Sequence, residues 1–463
     1  MKIYDTKLKE KIEFKPLNDG EISMYVCGPT VYDRAHLGHG RSAVSFDVMR
    51  RYFEYKGFNV KFVSNYTDID DKMINRANEE GVAVSALAEH VIPMYEEDYG
   101  KLKVKPPTKQ PRATEYIEQI VDFVKKLDEK GVTYVIDGDG VYFDVTKFPT
   151  YGELSGQSLE DLKMGARVDV NVNKRNPQDF AVWKFKKEGE PFWASPWGDG
   201  RPGWHIECSV MSYECLGEAF DIHGGGLDLV FPHHECEVAQ SKAVFGADKF
   251  AKHWIHNGFI QVDNEKMSKS LGNFFTLNDI FEKYDPAVVR FMFLQTHYRN
   301  PINFSDVLLE QAKGGLERLR GFVRGMERVS GEGEARDEVV KLVETAKRFF
   351  EFSMDDDFET SGALGAIFDL VKNVNVLGGR FYLNKADSDY VLEFLRKLDG
   401  VLGMIFTDEE DGGLDAEVEA LIKEREEARA NKDFEKSDQI RDELKGRGIE
   451  LEDTSEGTVW RRL

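Results

Sequence analysis

The first hundred residues alternate between short apolar runs and amphipathic stretches. The run EISMYVCG, from Glu21, is rich in β-branched and aromatic residues and ends at Gly-Pro, which predicts a strand. In RSAVSFDVMRRYFEYKG, Val44, Val48 and Tyr52 recur at helical spacing, and Gly57 ends the pattern. NVKFVSNYTD predicts a second strand. A strand, a helix and a strand in this order predict a βαβ unit and a parallel sheet.

The pattern changes between residues 106 and 202. A helical stretch, TEYIEQIVDFVKKLDEKG, precedes VTYVIDGDGVYFDV, in which Asp-Gly predicts a hairpin turn. A loop-rich, tryptophan-containing segment follows, and the run AFDIHGGG then restores the earlier pattern. We interpret 106–202 as an insertion into an α/β fold.

The last third of the chain is mostly helical. Three amphipathic stretches between Ser305 and Phe406 predict a helical bundle, and the polar TDEEDGGLD predicts a linker. One last helix, EVEALIKEREEARANKDFEKSDQIRDELKG, is predicted before a short tail that ends in TVWRRL.

Composition limits the functional class. The chain has 463 residues, a formal charge of −22 and 41% apolar residues, but we find no apolar run of about 18 residues, so we expect no membrane span. The charged start lacks the apolar core of a secretory signal, and we expect a cytoplasmic location. The acidic balance disfavours a broad nucleic-acid-coating surface but leaves room for a local basic track. In such a chain, four cysteines favour metal binding or catalysis over disulfides.

Three short motifs carry candidate chemistry. HLGH, from His36 to His39, follows the first strand and opens a helix predicted from near Gly40. A helix N-terminus favours anions, and imidazole donors there suit a phosphate. In KMSKSLGN, Lys266 and Lys269 can bind a polyphosphate, although no Walker motif is present. Paired surface histidines and a solvated lysine loop are the alternatives. FPHHECEV, residues 231–238, mixes soft and hard metal ligands before a predicted helix.

Taken together, these motifs resemble the class I aminoacyl-tRNA synthetases and, within them, the cysteinyl-tRNA synthetases. The resemblance covers nearly the whole chain through YVCGPTVYDRAHLGHGRS, NYTDIDDK, KRNPQDFAVWK, GRPGWHIECS, FDIHGGGLDLVFPHHECE, HNGFIQVDNEKMSKSLGN and GTVWRRL. It has two departures: Leu37 replaces the isoleucine of the first motif, and Cys236 stands where asparagine is expected.

The resemblance implies both a fold and a division into domains. The fold is α/β: a Rossmann-type parallel sheet in the catalytic domain, an inserted connective domain, then a helical bundle and a small anticodon-binding domain. The implied boundaries are 1–304 for the catalytic domain, with 106–202 inserted and 255–304 carrying KMSKS, then 305–406 for the bundle and 415–463 for the anticodon-binding domain.

The resemblance also implies one zinc ion per chain, bound by Cys27, Cys208, His233 and Glu237. The residue types agree, because positions four apart share a helix face, and two thiolates, an imidazole and a carboxylate suit zinc. Cysteine and serine are near-isosteres that a pocket separates poorly by shape, whereas zinc favours sulfur. The neighbouring His234 and Cys236 are expected to point elsewhere on the helix and either to support the ligands or to pack, and Cys215 is expected to pack.

The implied activity is that of a cysteine–tRNA ligase. It activates L-cysteine with ATP and Mg²⁺ to cysteinyl-adenylate, then transfers cysteine to the 3′ end of tRNA-Cys. The implied catalytic residues are His36, His39, Lys266 and Lys269. The same four side chains, with Gly38 and Asp228, are implied to bind ATP, and Thr67 and Trp204 to bind the amino acid.

The candidate tRNA contacts lie at the C-terminal end, and the chain is expected to be a monomer. They combine aromatic and donor–acceptor groups, as base recognition requires, and an exposed helix position without a role is the alternative for each charged one. These candidates are Arg429, Phe434, Asp438, Asp453 and Trp460.

Two other functions remain open at this stage. A related enzyme type activates cysteine with the same core but passes it to a sugar amine, and segment 415–463 argues against it. A zinc-stabilised nucleic-acid-binding module explains the metal ligands but not HLGH together with KMSKS.

Overall fold

A computed structural model of the chain describes residues 1–157, 173–262, 265–266, 274–380, 383–406, 409–454 and 457–462. The described residues form two compact units. Unit 1 comprises Met1–Leu309 and Arg348–Ala366, and unit 2 comprises Glu310–Lys347 and Ile367–Leu463.

The strands within the described ranges are β1 (Lys2–Asp5), β2 (Glu10–Glu13), β3 (Glu21–Val26), β4 (Asn59–Ser64), β5 (Thr133–Ile136), β6 (Gly140–Phe143), β7 (Phe180–Phe185), β8 (Gly200–Pro202), β9 (Ala219–Gly226), β10 (Phe250–Asn257), β11 (Ile260–Val262), β12 (Glu265–Lys266), β13 (Ile302–Phe304), β14 (Ile449–Thr454) and β15 (Gly457–Arg462).

The α-helices of the same ranges are α1 (Leu37–Tyr55), α2 (Asp71–Glu80), α3 (Val84–Lys101), α4 (Ile117–Glu129), α5 (Ile206–Leu216), α6 (Glu235–Phe245), α7 (Leu277–Phe281), α8 (Pro286–Leu294), α9 (Asp306–Glu327), α10 (Asp337–Asp355), α11 (Thr360–Arg380), α12 (Lys385–Leu402), α13 (Glu409–Ala430) and α14 (Phe434–Gly446).

A four-stranded parallel sheet organises unit 1, which confirms the predicted α/β class. Its strand order is β10-β9-β3-β4, and Val26 at the end of β3 lies opposite Ser64 on one side and Gly224 on the other. From β3 the chain continues to β4 on one side and much later to β9 on the other. The sheet therefore has a topological switch point beside β3, where open α/β sheets bind ligands.

Helix α1 follows β3 and packs on this sheet. Val44, Val48 and Tyr52 are buried, as their spacing predicts. The helix begins at Leu37, with His36 as its N-cap, rather than near Gly40 as predicted. The helix starts earlier because the side chain of His36 accepts a hydrogen bond from the backbone N–H of His39, and the side chain of His39 accepts one from the backbone N–H of His36. These bonds cap the first turn.

A buried ion-pair network ties α1 to α8. Asp47 accepts hydrogen bonds from Arg51 Nε at 2.7 Å and from Arg290 Nη2 at 2.5 Å. Arg290 also donates to the carbonyl of Leu102 at 2.8 Å, and its side chain is fully buried. The buried charges of Asp47 and Arg290 therefore pair with each other, as buried charges must if they are not to cost stability.

The segment between the halves of the sheet carries a second, antiparallel sheet. Its order is β5-β6-β7-β8, and the predicted hairpin joins β5 to β6, with Gly138 in its turn at φ +74°. Trp183 on β7 is fully buried. The predicted domain boundaries themselves remain a prediction.

The C-terminal part of unit 2 differs from its prediction in two respects. Most of the stretch TDEEDGGLD, predicted as a linker, belongs to α13, which begins at Glu409. The single helix expected there is two, α13 and α14, because Lys432 adopts a left-handed conformation (φ +61°) and Asp433 caps α14 through Lys436 N. Strands β14 and β15 form an antiparallel hairpin beyond them. The apolar core of this part comprises Val418, Ile422, Ile440, Leu444 and Ile449.

Candidate functional site

A cleft of about 700 Å³ lies at the carboxyl ends of the parallel strands. Residues that follow β3 and β4 line it, as do the end of β9 and the end of β10. This is the place that the switch point beside β3 predicts. The cleft brings together most of the residues singled out in the sequence: Cys27, His36, Gly38, His39, Thr67, Trp204, Cys208, Asp228 and His233.

Four potential metal ligands converge at the inner end of the cleft. The Sγ atoms of Cys27 and Cys208 are 3.4 Å apart, and Cys27 Sγ is 3.5 Å from Glu237 Oε1. His233 Nε2 is 3.1 Å from the same oxygen. All four ligand atoms lie within 4.8 Å of one another. This predicted set, drawn from three distant parts of the sequence, can therefore bind one metal ion.

The spacing of these atoms suits zinc. Two Zn–S bonds of about 2.3 Å at a tetrahedral angle place their sulfurs about 3.8 Å apart, and the observed separation of 3.4 Å needs only a small adjustment. The donors are also of the soft and borderline types that zinc prefers, with two thiolates among them.

Burial keeps the Cys27 thiol and the His233 imidazole neutral when no cation is present. It raises the pKa of the Cys27 thiol well above its ordinary value, and the neighbouring Cys208 adds to the shift. Burial also lowers the pKa of His233 well below its ordinary value. A bound divalent cation reverses the penalty on the thiolates, so metal binding and thiol deprotonation are coupled here.

Further histidines orient the ligands, and sequence reasoning did not identify them. His205 Nδ1 lies 3.0 Å from His233 Nδ1, which leaves His233 Nε2 for a metal. His223 Nε2 lies 2.8 Å from Glu237 Oε2. The indole of Trp204 covers His233 with a centroid separation of 4.5 Å. The one sequence signal for His223 was a histidine within a short apolar and glycine-rich strand, which contains Asp221 as its other polar residue.

Thr67 is held by a buried carboxylate that was also missed. The Thr67 hydroxyl donates to Glu207 Oε2 at 3.0 Å, and Glu207 is fully buried. Burial raises the pKa of the Glu207 carboxyl well above its ordinary value. Glu207 thus holds the Thr67 side chain, which lines the cleft, in place through this hydrogen bond.

His36 and His39 cap α1 with their side chains. His36 Nδ1 accepts from the backbone N–H of His39 at 3.2 Å, His39 Nδ1 accepts from that of His36 at 3.3 Å, and the rings stack. Since each Nδ1 is an acceptor, each neutral ring carries its proton on Nε2. Burial, and then the charge of His36, lower the pKa of His39, which keeps it neutral. A Cβ at Gly38 would lie 2.9 Å from the His36 ring.

The structure places some of the remaining predicted ATP-binding residues and not others. Asp228 lines the cleft from the 3₁₀ turn Leu227–Leu229. Lys266 ends β12, opposite Gln261 of β11, but its side chain is outside the described part of the structure. Lys269 lies outside the described residues altogether.

The candidate tRNA contacts lie on the elements around the small C-terminal core. Arg429 is near the end of α13, while Phe434 and Asp438 are one helical turn apart at the start of α14 and both exposed, Phe434 by 63%. Asp453 and Trp460 lie on β14 and β15, paired with Thr458 and Leu451, and their side chains are outside what the structure describes.

Three family models match the chain in succession. The class I (C) tRNA synthetase catalytic domain matches residues 13–314, the DALR domain matches 349–407, and the cysteinyl-tRNA ligase anticodon binding domain matches 411–461. The first of these alone covers more than half of the chain.

Solved structures show the same fold at low sequence identity. Methionyl-tRNA synthetase of Mycobacterium tuberculosis in complex with methionyl-adenylate is 15% identical with a TM-score of 0.60, over 82% of this chain and 89% of that one. The LeuRS of Agrobacterium radiobacter K84 agnB2, solved as a ternary complex with tRNA and LeuAMS, is 12% identical with a TM-score of 0.64, over 85% of each chain.

The catalytic and anticodon-binding models together indicate an ATP-dependent enzyme that joins cysteine to tRNA, with the amino acid, ATP and tRNA as its partners. Among the described helices, none is both long and apolar enough to span a membrane. Because these three family models match it, the chain belongs to the class I aminoacyl-tRNA synthetases, in the cysteinyl-tRNA synthetase family.

Proposed function

We propose that the cysteine–tRNA ligase activity of this chain depends on one zinc ion bound by Cys27, Cys208, His233 and Glu237. The observation that carries the proposal is the convergence of these four donors within 4.8 Å at the inner end of the cleft. When bound, zinc supplies a Lewis acid that prefers a thiolate to an alcohol as its ligand. Cysteine is thereby selected by its sulfur.

The side chains next to the donors orient the amino acid. Trp204 lines the cleft and covers His233, and the Thr67 hydroxyl is fixed by Glu207. We assign the amino group of cysteine to the Thr67 side of the cleft. The carboxylate then points toward the N-terminus of α1, where ATP is expected.

ATP is assigned to the outer part of the cleft, accompanied by Mg²⁺. The two Nε2–H groups of His36 and His39 suit the phosphates, because both protons are fixed on Nε2 by the cap. Gly38 permits a close approach, and Asp228 is assigned to the ribose hydroxyls. Lys266 and Lys269 are proposed to stabilise the pyrophosphate.

The reaction proceeds in two balanced steps. A carboxylate oxygen of cysteine attacks the α-phosphorus of ATP, forming cysteinyl-adenylate and releasing pyrophosphate. The 2′-hydroxyl of the terminal adenosine then attacks the carbonyl carbon, giving cysteinyl-tRNA and AMP. Positioning and charge stabilisation supply most of the acceleration, because the protein forms no covalent intermediate.

Removal of the metal tests this proposal. We expect the dialysed, chelator-treated enzyme to lose its preference for cysteine over serine in amino-acid-dependent pyrophosphate exchange, and added zinc to restore it. Zinc content measured on the same samples should follow the preference. Undiminished discrimination by the metal-free enzyme would refute the role of zinc.

The domain at 415–463 is proposed to bind the anticodon, after the catalytic domain at 1–304 and the bundle at 305–406. Arg429, Phe434, Asp438, Asp453 and Trp460 are the proposed contacts. The exposed ring of Phe434 supports this, since an aromatic side chain exposed by 63% is suited to stack on a base. One polypeptide that carries both functions needs no second copy, and we propose a cytoplasmic monomer.

Replacing Phe434 by alanine should reduce kcat/KM for tRNA charging about tenfold, because a base–aromatic stack contributes about 1–3 kcal/mol. Cysteine-dependent pyrophosphate exchange, which needs no tRNA, should be unchanged. Phe434→Tyr should retain tRNA charging, because tyrosine keeps an aromatic ring that can stack on a base. Phe434→Leu should not retain it, because leucine keeps the apolar volume but has no ring. Equal charging by the wild-type, Leu and Ala enzymes would exclude this contact.

A further inference from the structure

The proposed zinc site shares two of its ligands with a second set of donors. Cys27, His223, His234 and Glu237 also offer ligand atoms that all lie within 4.8 Å of one another. We propose that the metal has two mutually exclusive positions: a pocket-facing position with Cys208 and His233, and a withdrawn position with His223 and His234. This inference rests on the proposed function, because Cys27 and Glu237 serve in both positions.

The orientation of His234 supports the withdrawn position. Its Nδ1 is 2.8 Å from His256 Nε2, and His256 Nδ1 is in turn 2.7 Å from the Thr6 hydroxyl. The other ring nitrogen, Nε2, is fully buried and has no hydrogen-bond partner among the described residues. It lies 3.9 Å from Glu237 Oε1. A buried nitrogen left without a partner is costly unless something binds it, and a metal ion at this point would do so.

His223 completes the second set from the opposite side of Glu237. Its Nε2 contacts Glu237 Oε2 at 2.8 Å, whereas His233 contacts Oε1 of the same carboxylate. The two oxygens of Glu237 therefore face different imidazoles. An ion that moves between the two positions keeps this carboxylate and the Cys27 thiolate as ligands and exchanges only the other two.

The two positions differ in their access to the cleft. Cys208 and His233 line the cleft, but His223 and His234 do not, and both are fully buried. A substrate thiol in the cleft would reach the ion only in the pocket-facing position. The withdrawn position would hold the ion where it cannot select cysteine, and with one thiolate instead of two it suits harder divalent ions better.

Cobalt binding to single and double variants tests this inference. Co²⁺ replaces zinc as a spectroscopic probe, and its sulfur-to-metal absorption in the near ultraviolet grows with the number of thiolate ligands. Wild-type protein should show two thiolates. Cys208→Ser should still bind one Co²⁺, with about 10- to 100-fold lower affinity and the absorption of a single thiolate.

The double variant supplies the decisive comparison. In the Cys208→Ser background, His234→Gln should reduce Co²⁺ affinity at least about tenfold further, while His234→Gln alone should leave the two-thiolate spectrum in place. Cys208→Ser with His253→Gln is the matched control, because His253 lies outside both donor sets. Thermal unfolding of each metal-free variant verifies that it is folded.

The possible results separate the two proposals. A folded Cys208→Ser protein that binds no Co²⁺, or a double variant that binds as well as Cys208→Ser, would refute the withdrawn position alone. A wild-type protein that binds no metal would refute the zinc site as well. The two failures are therefore distinguishable.

Discussion

Replacing Cys27 by alanine should remove the metal entirely and reduce cysteine-dependent pyrophosphate exchange at least about 100-fold. Its sulfur lies 3.4 Å from Cys208 Sγ and 3.5 Å from Glu237 Oε1, and it belongs to both donor sets. Even residues that only orient metal ligands change affinity or activity by about 10- to 100-fold, so the loss of this shared ligand should exceed that. Zinc analysis and exchange assays measure the two effects.

Cys215→Ala is the matched control for this experiment. Cys215 is also buried, but its sulfur lies near the Tyr116 hydroxyl at 3.8 Å and belongs to neither donor set. The control should retain zinc and exchange activity. If Cys27→Ala retained its zinc while remaining folded, the assignment of this thiol would be wrong.

Replacing Asp47 by alanine should lower the free energy of unfolding by about 3–5 kcal/mol, the usual cost of breaking a buried ion pair. The substitution removes the carboxylate that Arg51 and Arg290 face at 2.7 and 2.5 Å, and the Arg290 side chain is fully buried. Chemical denaturation monitored by circular dichroism measures the change.

An exposed ion pair provides the comparison for Asp47. Asp122 pairs with Lys125 at 2.8 Å, with side chains 66% and 46% exposed. Asp122→Ala should change the free energy of unfolding by less than about 1 kcal/mol, because solvent screens such pairs. Similar losses in the two variants would show that burial does not set the cost at Asp47.

The sequence predicted the local elements of the nucleotide-binding half well. The strand EISMYV, the helix marked by Val44, Val48 and Tyr52, and the next strand all have strong periodicity, and the order βαβ permits few topologies. The C-terminal break at Lys432 and Asp433 was missed because nothing in the apolar pattern interrupts there. The helix ends there because one residue, Lys432, adopts a left-handed conformation.

The site was predictable only in part, for a different reason. The resemblance identified Cys27, Cys208, His233 and Glu237, and the structure brings them together. His205, His223 and Glu207 were not identified, because their contacts join residues that lie 14 to 140 positions apart in the sequence. Periodicity reports burial along one element and carries no information about which buried polar groups meet across elements.

The two alternative functions are now weaker. A ligase that passes cysteine to a sugar amine has no use for an anticodon-binding domain, which the model match at 411–461 indicates. A binding module without catalysis does not explain a cleft in which the HLGH histidines and the metal donors lie together. Charging of a tRNA with a GCA anticodon remains the direct assay for the complete reaction.

The reciprocal cap of α1 limits how this enzyme can change. His36 and His39 each cap the helix through Nδ1. In the proposed mechanism each donates to a phosphate through Nε2, so that one imidazole would have a structural and a chemical role. Serine or aspartate at these positions would preserve the helix start but lose the second donor, while lysine would supply charge but lose the cap. Few side chains other than histidine meet both demands, and variants here will confound stability with turnover unless both are measured.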